Sequence, residues 1–255
     1  MIGQIREMAR RSILQTLRQP AMVIPPVVFP LLLVSINAAG LSAATRIPGF
    51  PADSYWDFAI AVPFIQGSLF AAINAGTAMA RDVETGFIMR LAMTPMRRMA
   101  LLIGQLIGVM TVAFVSALIY IGAGFVAGMD FKAGALGIPA IILLGTLVAL
   151  AFAGIGAYIG LRSGSGEAVQ GIFPLLFVFL FLSSVNLPRN LIEQDWFRTI
   201  ATYNPVSYLV EGVRSLIIFG WDGQALALGF SFGLALTALG IGLAVHALRT
   251  TLVRT

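Results

Sequence analysis

The sequence predicts an all-α integral membrane protein with six transmembrane helices, and three observations carry that prediction. Hydrophobic residues make up 58% of the 255 positions and charged residues only 11%, whereas a water-soluble domain needs about 25% charge to wet its surface. Six apolar stretches, Ala21–Ala44, Phe58–Ala80, Met99–Gly128, Ala133–Leu161, Val169–Leu187 and Gln224–His246, approach or exceed the roughly 20 residues that cross the hydrocarbon. His246 is their only acid or base. The charges between the stretches are sorted by sign, as topology requires. The stretches are apolar on all sides rather than alternating, which argues for helices over a barrel.

The same composition excludes other classes. There is no cysteine and one histidine, so no disulfide frame, thiol nucleophile or multi-histidine metal centre is available. The pI of about 10.2 does not mark a nucleic-acid partner, because the bases are placed by topology. With both termini in the cytoplasm, 11 of the 16 bases lie inside: Arg6, Arg10, Arg11, Arg18, Arg81, Arg90, Arg97, Arg98, Arg162, Arg249 and Arg254. Arg46, Lys132, Arg189, Arg198 and Arg214 lie outside, an asymmetry the positive-inside rule expects. Residues 1–40 are read as uncleaved, since the charged lead is long for a signal peptide and prolines interrupt the apolar run.

Residues 1–20 place Ile2, Ile5, Ala9, Ile13 and Leu17 at intervals of three or four, with Arg6, Arg10, Arg11 and Arg18 away from that stripe. This predicts an amphipathic helix lying in the inner headgroup layer. Spans one to five occupy 21–187. Within them Gly104/Gly108, Gly124/Gly128, Gly156/Gly160 and Gly229/Gly233 (the last pair in span six) are spaced for close helix packing. Gln66, Asn74 and Gln105 are polar residues for interhelical hydrogen bonds or a substrate path, Gln66 and Asn74 on one face. Pro63 and Pro174 are expected to kink spans two and five.

Between spans two and three, Phe87, Ile88 and Leu91 can share the face of a short cytosolic helix that Pro95 ends. Residues 188–223 read as an outer re-entrant segment. Asn204 is a helix cap and Pro205 a first helical residue, followed by the apolar stripe Val206, Leu209, Val210, Val213, Leu216, Ile217 and Gly220. Ser207, Glu211 and Arg214 fall opposite it, the last two close enough to pair. Span six closes the chain at 224–248, so that 1–255 form a single domain.

Chemistry is sparse. The only lysine, Lys132, stands outside any phosphate-cradling G-x-x-x-x-G-K-[ST] loop, and apart from the peripheral His246 no span holds a titrating group for ion coupling. An intramembrane serine protease would need Ser163 or Ser165 with His246, all near the cytoplasmic rim. A non-transporting membrane scaffold is the other alternative.

Two stretches carry a family resemblance. Glu84-Thr-Gly-Phe-Ile-Met-Arg-Leu-Ala-Met-Thr-Pro-Met-Arg97 and Asn204-Pro-Val-Ser-Tyr-Leu-Val-Glu-Gly-Val-Arg214 are similar to the coupling segment and the outer stretch of permease subunits of type-2 ABC exporters. Phe181–Pro188 resembles the daunorubicin and multidrug-resistance members. The Pro-Arg-Asn-Leu-Ile that follows departs from their pattern and leaves the substrate open. The resemblance implies a transport subunit, not an enzyme, of a bacterial inner membrane that exports a drug, lipid or glycan. It implies two copies of a separate nucleotide-binding subunit carrying ATP and Mg, no cofactor on this chain, and a second permease copy, identical or related. It makes the helix between spans two and three a coupling helix. Arg81, Asp82, Glu84, Gly86, Arg90, Pro95 and Arg97 are its contacts with the ATPase. Asn204, Pro205, Tyr208, Glu211 and Arg214 bound the exit.

Overall fold

A computed structural model describes residues 2–93 and 98–251. Among them are twelve α-helices and no strand. In chain order these are α1 (Ile2–Leu17), α2 (Pro20–Gly40), α3 (Tyr55–Ala59), α4 (Val62–Glu84), α5 (Phe87–Ala92) and α6 (Arg98–Val126). They are followed by α7 (Gly137–Ser163), α8 (Gly166–Gly171), α9 (Phe173–Phe181), α10 (Asp195–Tyr203), α11 (Pro205–Ile218) and α12 (Gly223–Thr251).

Among the described residues, five helical segments are long and apolar enough to cross a membrane: Val23–Gly40, Tyr55–Glu84, Met99–Val126, Gly137–Ser163 and Gly223–Thr250. The expected fifth span, Val169–Leu187, is instead two short helices within Gly166–Phe181. Pro174 stands at the start of α9 and not inside it, where its missing N–H costs nothing. Pro63 likewise stands in the first turn of α4, so each proline directly follows an interruption of its helical segment, Tyr55–Glu84 between α3 and α4 and Gly166–Phe181 between α8 and α9. The helix stops well before Pro188. Ser183 Oγ donates to Leu180 O, and Asn204 Nδ2 donates to Phe179 O and Leu182 O at 2.8 and 3.0 Å, satisfying carbonyls that the last turn leaves open.

The centre of the bundle is α4 against α7 and α7 against α12. Glycine makes both approaches close. A Cβ on Gly156 would collide with Ala72 O, and one on Gly160 with Gly76 O. Gly154 lies against the backbone of Gly240 and Ile241, and Thr237 Oγ1 donates to Leu147 O at 2.9 Å. In each pair the residue numbers rise together, so α4, α7 and α12 run parallel. Their C-termini, with Arg81, Arg162 and Arg249, are at one end of the molecule. Lipid offers no hydrophobic drive between helices, so this backbone proximity maximises dispersion contacts.

Helix α1 packs on α6. Gly104 faces Met8 and Gly108 faces Ser12, again with numbers rising together, so α1 follows α6 instead of crossing its end. The glycine pair of α6 creates the groove that α1, the expected amphipathic helix, fills. Of the other predicted pairs, Gly229 meets Gly212 of α11 and Gly233 meets Leu147. Gly128 has φ +79 and belongs to a turn, so Gly124/Gly128 is not a packing pair.

Three prolines inside α2, Pro25, Pro26 and Pro30, leave carbonyls without their helical donors. Pro30 has no N–H to offer Pro26 O, and the Tyr120 hydroxyl of α6 donates to that oxygen instead.

Candidate functional site

Two constellations stand at opposite ends of the bundle. At the end holding the C-termini, α4 passes through Thr85 and Gly86 into α5. Gly86 has φ +66 and caps α5 in the left-handed region, which L side chains rarely adopt. Local geometry therefore accounts for this glycine. Ile88 is buried, and Phe87 and Leu91 pack against the same apolar cluster. The other face of α5 presents Met89, Arg90 and Met93, with Met93 90% exposed. Arg90 Nη2 donates to Thr85 O at 3.2 Å. Arg81 and Glu84 are exposed beside it. Pro95 and Arg97, expected to end and flank this element, lie outside the described residues.

Asp82 differs from its expected role. It is buried, and both its carboxylate oxygens accept from Arg11, Nη1 at 3.1 Å and Nη2 at 2.7 Å. The Arg11 guanidinium also lies 4.2 Å from the centre of the Phe87 ring. Asp82 therefore anchors α1 and offers no surface to a partner. Arg11 was expected away from the packed face of α1. It reaches inward because Ser12, next to it, is held against α6, where its hydroxyl donates to Gln105 Oε1 at 3.2 Å.

At the other end, Asn204 accepts from Val206 N with its side-chain oxygen while its amide nitrogen holds the end of α9. One residue thus joins two helix ends. Pro205 occupies the first turn of α11. The apolar stripe through Val206, Leu209, Val210, Val213, Leu216 and Ile217 is buried, and so are Ser207 and Arg214 on the opposite, polar face. Ser207 Oγ donates to Ala201 O at 2.6 Å and accepts from Ser184 N at 3.0 Å.

Arg214 does not form the expected ion pair with Glu211. Its Nε donates to Phe58 O at 3.0 Å, and Nη1 and Nη2 donate to Ser184 O and Val185 O, both at 3.1 Å. The guanidinium carbon stands 3.6 Å from the Phe58 ring centre. A planar cation with several donors suits a site that offers three carbonyls and an aromatic face. Glu211 turns outward. It accepts from Arg189 and, at 2.8 Å, from Ser184 Oγ. Arg189 lies over Tyr208, 4.7 Å from the ring centre, and Tyr208 stacks on Phe232 of α12. Burial pulls the Arg189 pKa down, but Glu211 and Tyr208 outweigh it and leave the group above its ordinary value. The pairing was hidden in the sequence because Arg189 and Glu211 are 22 positions apart.

The polar residues of the spans separate. Asn74 and Gln105 border one cleft. Gln66 is buried elsewhere, and its Oε1 has no hydrogen-bond partner among the described residues. Eight residues rotate a helix by about 80° beyond two full turns at 3.6 residues per turn, so the two positions do not share a face. The serine candidates have ordinary roles: Ser165 Oγ accepts from Ala168 N and caps α8, and Ser163 Oγ donates to Ile159 O.

A family model described as ABC-2 type transporter matches residues 3–218. The chain is 25% identical, over 61% of its length, to a doxorubicin resistance ABC transporter permease protein, DrrC, of Mycobacterium tuberculosis, and the match spans 55% of that protein. It is 26% identical to the transport permease ycf38 of Porphyra purpurea, over 99% of this chain and 91% of that one. The corresponding protein of Pyropia yezoensis is 25% identical over 91% of this chain and 80% of its own length.

Proposed function

Because the chain belongs to the ABC-2 type transporter family, we propose that it is the membrane permease subunit of an ATP-driven exporter. It moves an amphipathic drug, lipid or glycan outward, and two copies of a separate subunit hydrolyse ATP with Mg. A second permease copy completes the pathway. The observation that carries this reading is α5: a short helix fixed to the end of α4, its inner face packed on the bundle and its outer face exposed. A soluble motor needs such a rigid projection to push on. Arg81, Glu84 and Arg90 are the proposed contacts, with Pro95 and Arg97 continuing the same segment. Gly86 sets the angle at which α5 leaves α4. Asn204, Pro205, Tyr208, Glu211 and Arg214 bound the outer exit.

The proposed topology has six crossings in a bacterial inner membrane, with both termini cytoplasmic. The parallel run of α4, α7 and α12 supports it. α7 ends on the α5 side and α12 starts on the opposite side, so the chain from 164 to 222 has to pass between them, and α8 and α9 make that short crossing.

The test is co-purification of the full chain with candidate soluble ATPases, followed by ATP turnover in the presence and absence of the permease. Glu84→Arg is expected to reduce permease-dependent stimulation at least fivefold while leaving membrane insertion intact. Full stimulation by this variant overturns the contact assignment. A chain that captures no ATPase but supports assembly of other membrane proteins is a scaffold.

A further inference from the structure

A cleft runs inside a single protomer between α1, α2, α4, α6 and α7. From Gln105 to Tyr120 it follows α6 for about 22 Å at the helical rise of roughly 1.5 Å per residue. Its polar lining includes Ser12, Ser68, Asn74, Gln105, Ser116 and Tyr120, and none of its lining residues is an acid or a base. Arg11, next to the lining residue Ser12 in the chain, is paired with Asp82. Small residues such as Gly67, Ala71 and Ala113 keep it open. Its roof is Tyr120, whose hydroxyl is engaged by Pro26 O.

A second, apolar slot adjoins it. That slot is walled by Ile13, Val23 and Val115 and shares Thr16, Gly108, Val112 and Ser116 with the cleft. Val115 is exposed on the outside of the bundle, so the slot leads from the polar cleft toward the surface that lipid covers.

We propose that this pair of cavities binds an amphipath with an uncharged, hydrogen-bonding headgroup, the headgroup in the cleft and the apolar chain in the slot between α1 and α6. The Ser12, Ser68 and Tyr120 hydroxyls give their hydrogens to Gln105 Oε1, Phe64 O and Pro26 O, and their oxygens keep lone pairs that accept from the O–H groups of a neutral headgroup. A charged headgroup would be desolvated with no counter-ion, which costs far more than neutral hydrogen bonds return. This deepens the exporter reading by naming a substrate class and a place for it within one protomer.

The experiment uses the full chain in phosphatidylcholine nanodiscs, with a diazirine-bearing monoacylglycerol as the neutral probe and a matched diazirine lysophosphatidic acid as the anionic one. Photolabelled peptides are mapped by mass spectrometry. The neutral probe is expected to label residues 12–16 and 105–116. That labelling should fall at least tenfold with excess unlabelled monoacylglycerol, and as much in Ala71→Leu or Ala113→Leu, which fill the cleft from opposite walls. The anionic probe should label these segments at a tenth of that level or less. Competition in the wild-type chain keeps the test decisive if a filled variant fails to fold. Labelling that resists competition, persists in both folded variants or is equal for the two probes overturns the proposal. ATP turnover with the partner subunit is measured separately, so an empty cleft in a coupled complex overturns the site and leaves the permease reading standing.

Discussion

Arg11 and Asp82, 71 positions apart in the chain, meet as a two-pronged ion pair at 3.1 and 2.7 Å. The pair fastens the N-terminal helix to the last turn of α4, one step before the chain turns into α5. The carboxylate is buried and the guanidinium partly exposed, so the two partners are not equivalent. Removing the arginine strands a buried charge, whereas neutralising the acid leaves an arginine that still reaches water. Arg11→Ala is therefore expected to be the more harmful change, costing about 1–3 kcal/mol against a smaller loss for Asp82→Asn. Thermal unfolding of the purified chain ranks the two variants, and the reverse order would contradict the asymmetry.

Arg214 gives a second prediction. Its guanidinium satisfies three backbone carbonyls from two separate segments. Arg214→Ala leaves all three buried and unpaired, a penalty on the order of 3 kcal/mol or more. Arg214→Lys keeps the charge but not the planar fork, and should recover less than half of the lost thermal stability. Equal stability of the lysine variant and the wild type would show that charge alone matters there.

The glycines of α7 are separable from glycines that merely occur in helices. Gly160→Ala places a methyl group on Gly76 O, while an alanine at Gly122 in α6 meets nothing within 4 Å. The first change should lower the yield of folded protein and its melting temperature. The second should be neutral or stabilising by up to about 1 kcal/mol through helix propensity. Fluorescence-detected size exclusion after a heating series compares them.

The Tyr120 hydroxyl depends on a proline for its acceptor. Tyr120→Phe should cost about 1 kcal/mol in the native background. In Pro30→Ala, where residue 30 regains an N–H for Pro26 O, the same change should cost close to nothing. A double-mutant cycle measures this coupling, and additive effects would refute it.

The helical class and the long apolar segments were legible because hydropathy acts locally, over one helix at a time. Asn204 was legible for the same reason: a cap bonds to the N–H two positions on. Its second role, closing the end of α9, was not, since it depends on how distant turns meet. The same limit explains Arg11, which helical periodicity placed on an open face, and Glu211, whose nearest cation in sequence, Arg214, is turned inward to carbonyls while a distant one, Arg189, takes its place. Val169–Leu187 reads as one apolar stretch. Where its helices end is decided by Ser183 and Asn204, which hydropathy does not weigh.

Helices α4, α7 and α12 meet main chain to main chain at Gly156 and Ala72, Gly160 and Gly76, and Gly154 and Gly240. Side chains give way by changing rotamer, but peptide units in contact do not. These contacts resist sliding of the three helices, so in the exporter proposed above a displacement applied at α5 would pass from α4 to α7 and α12 at those glycines.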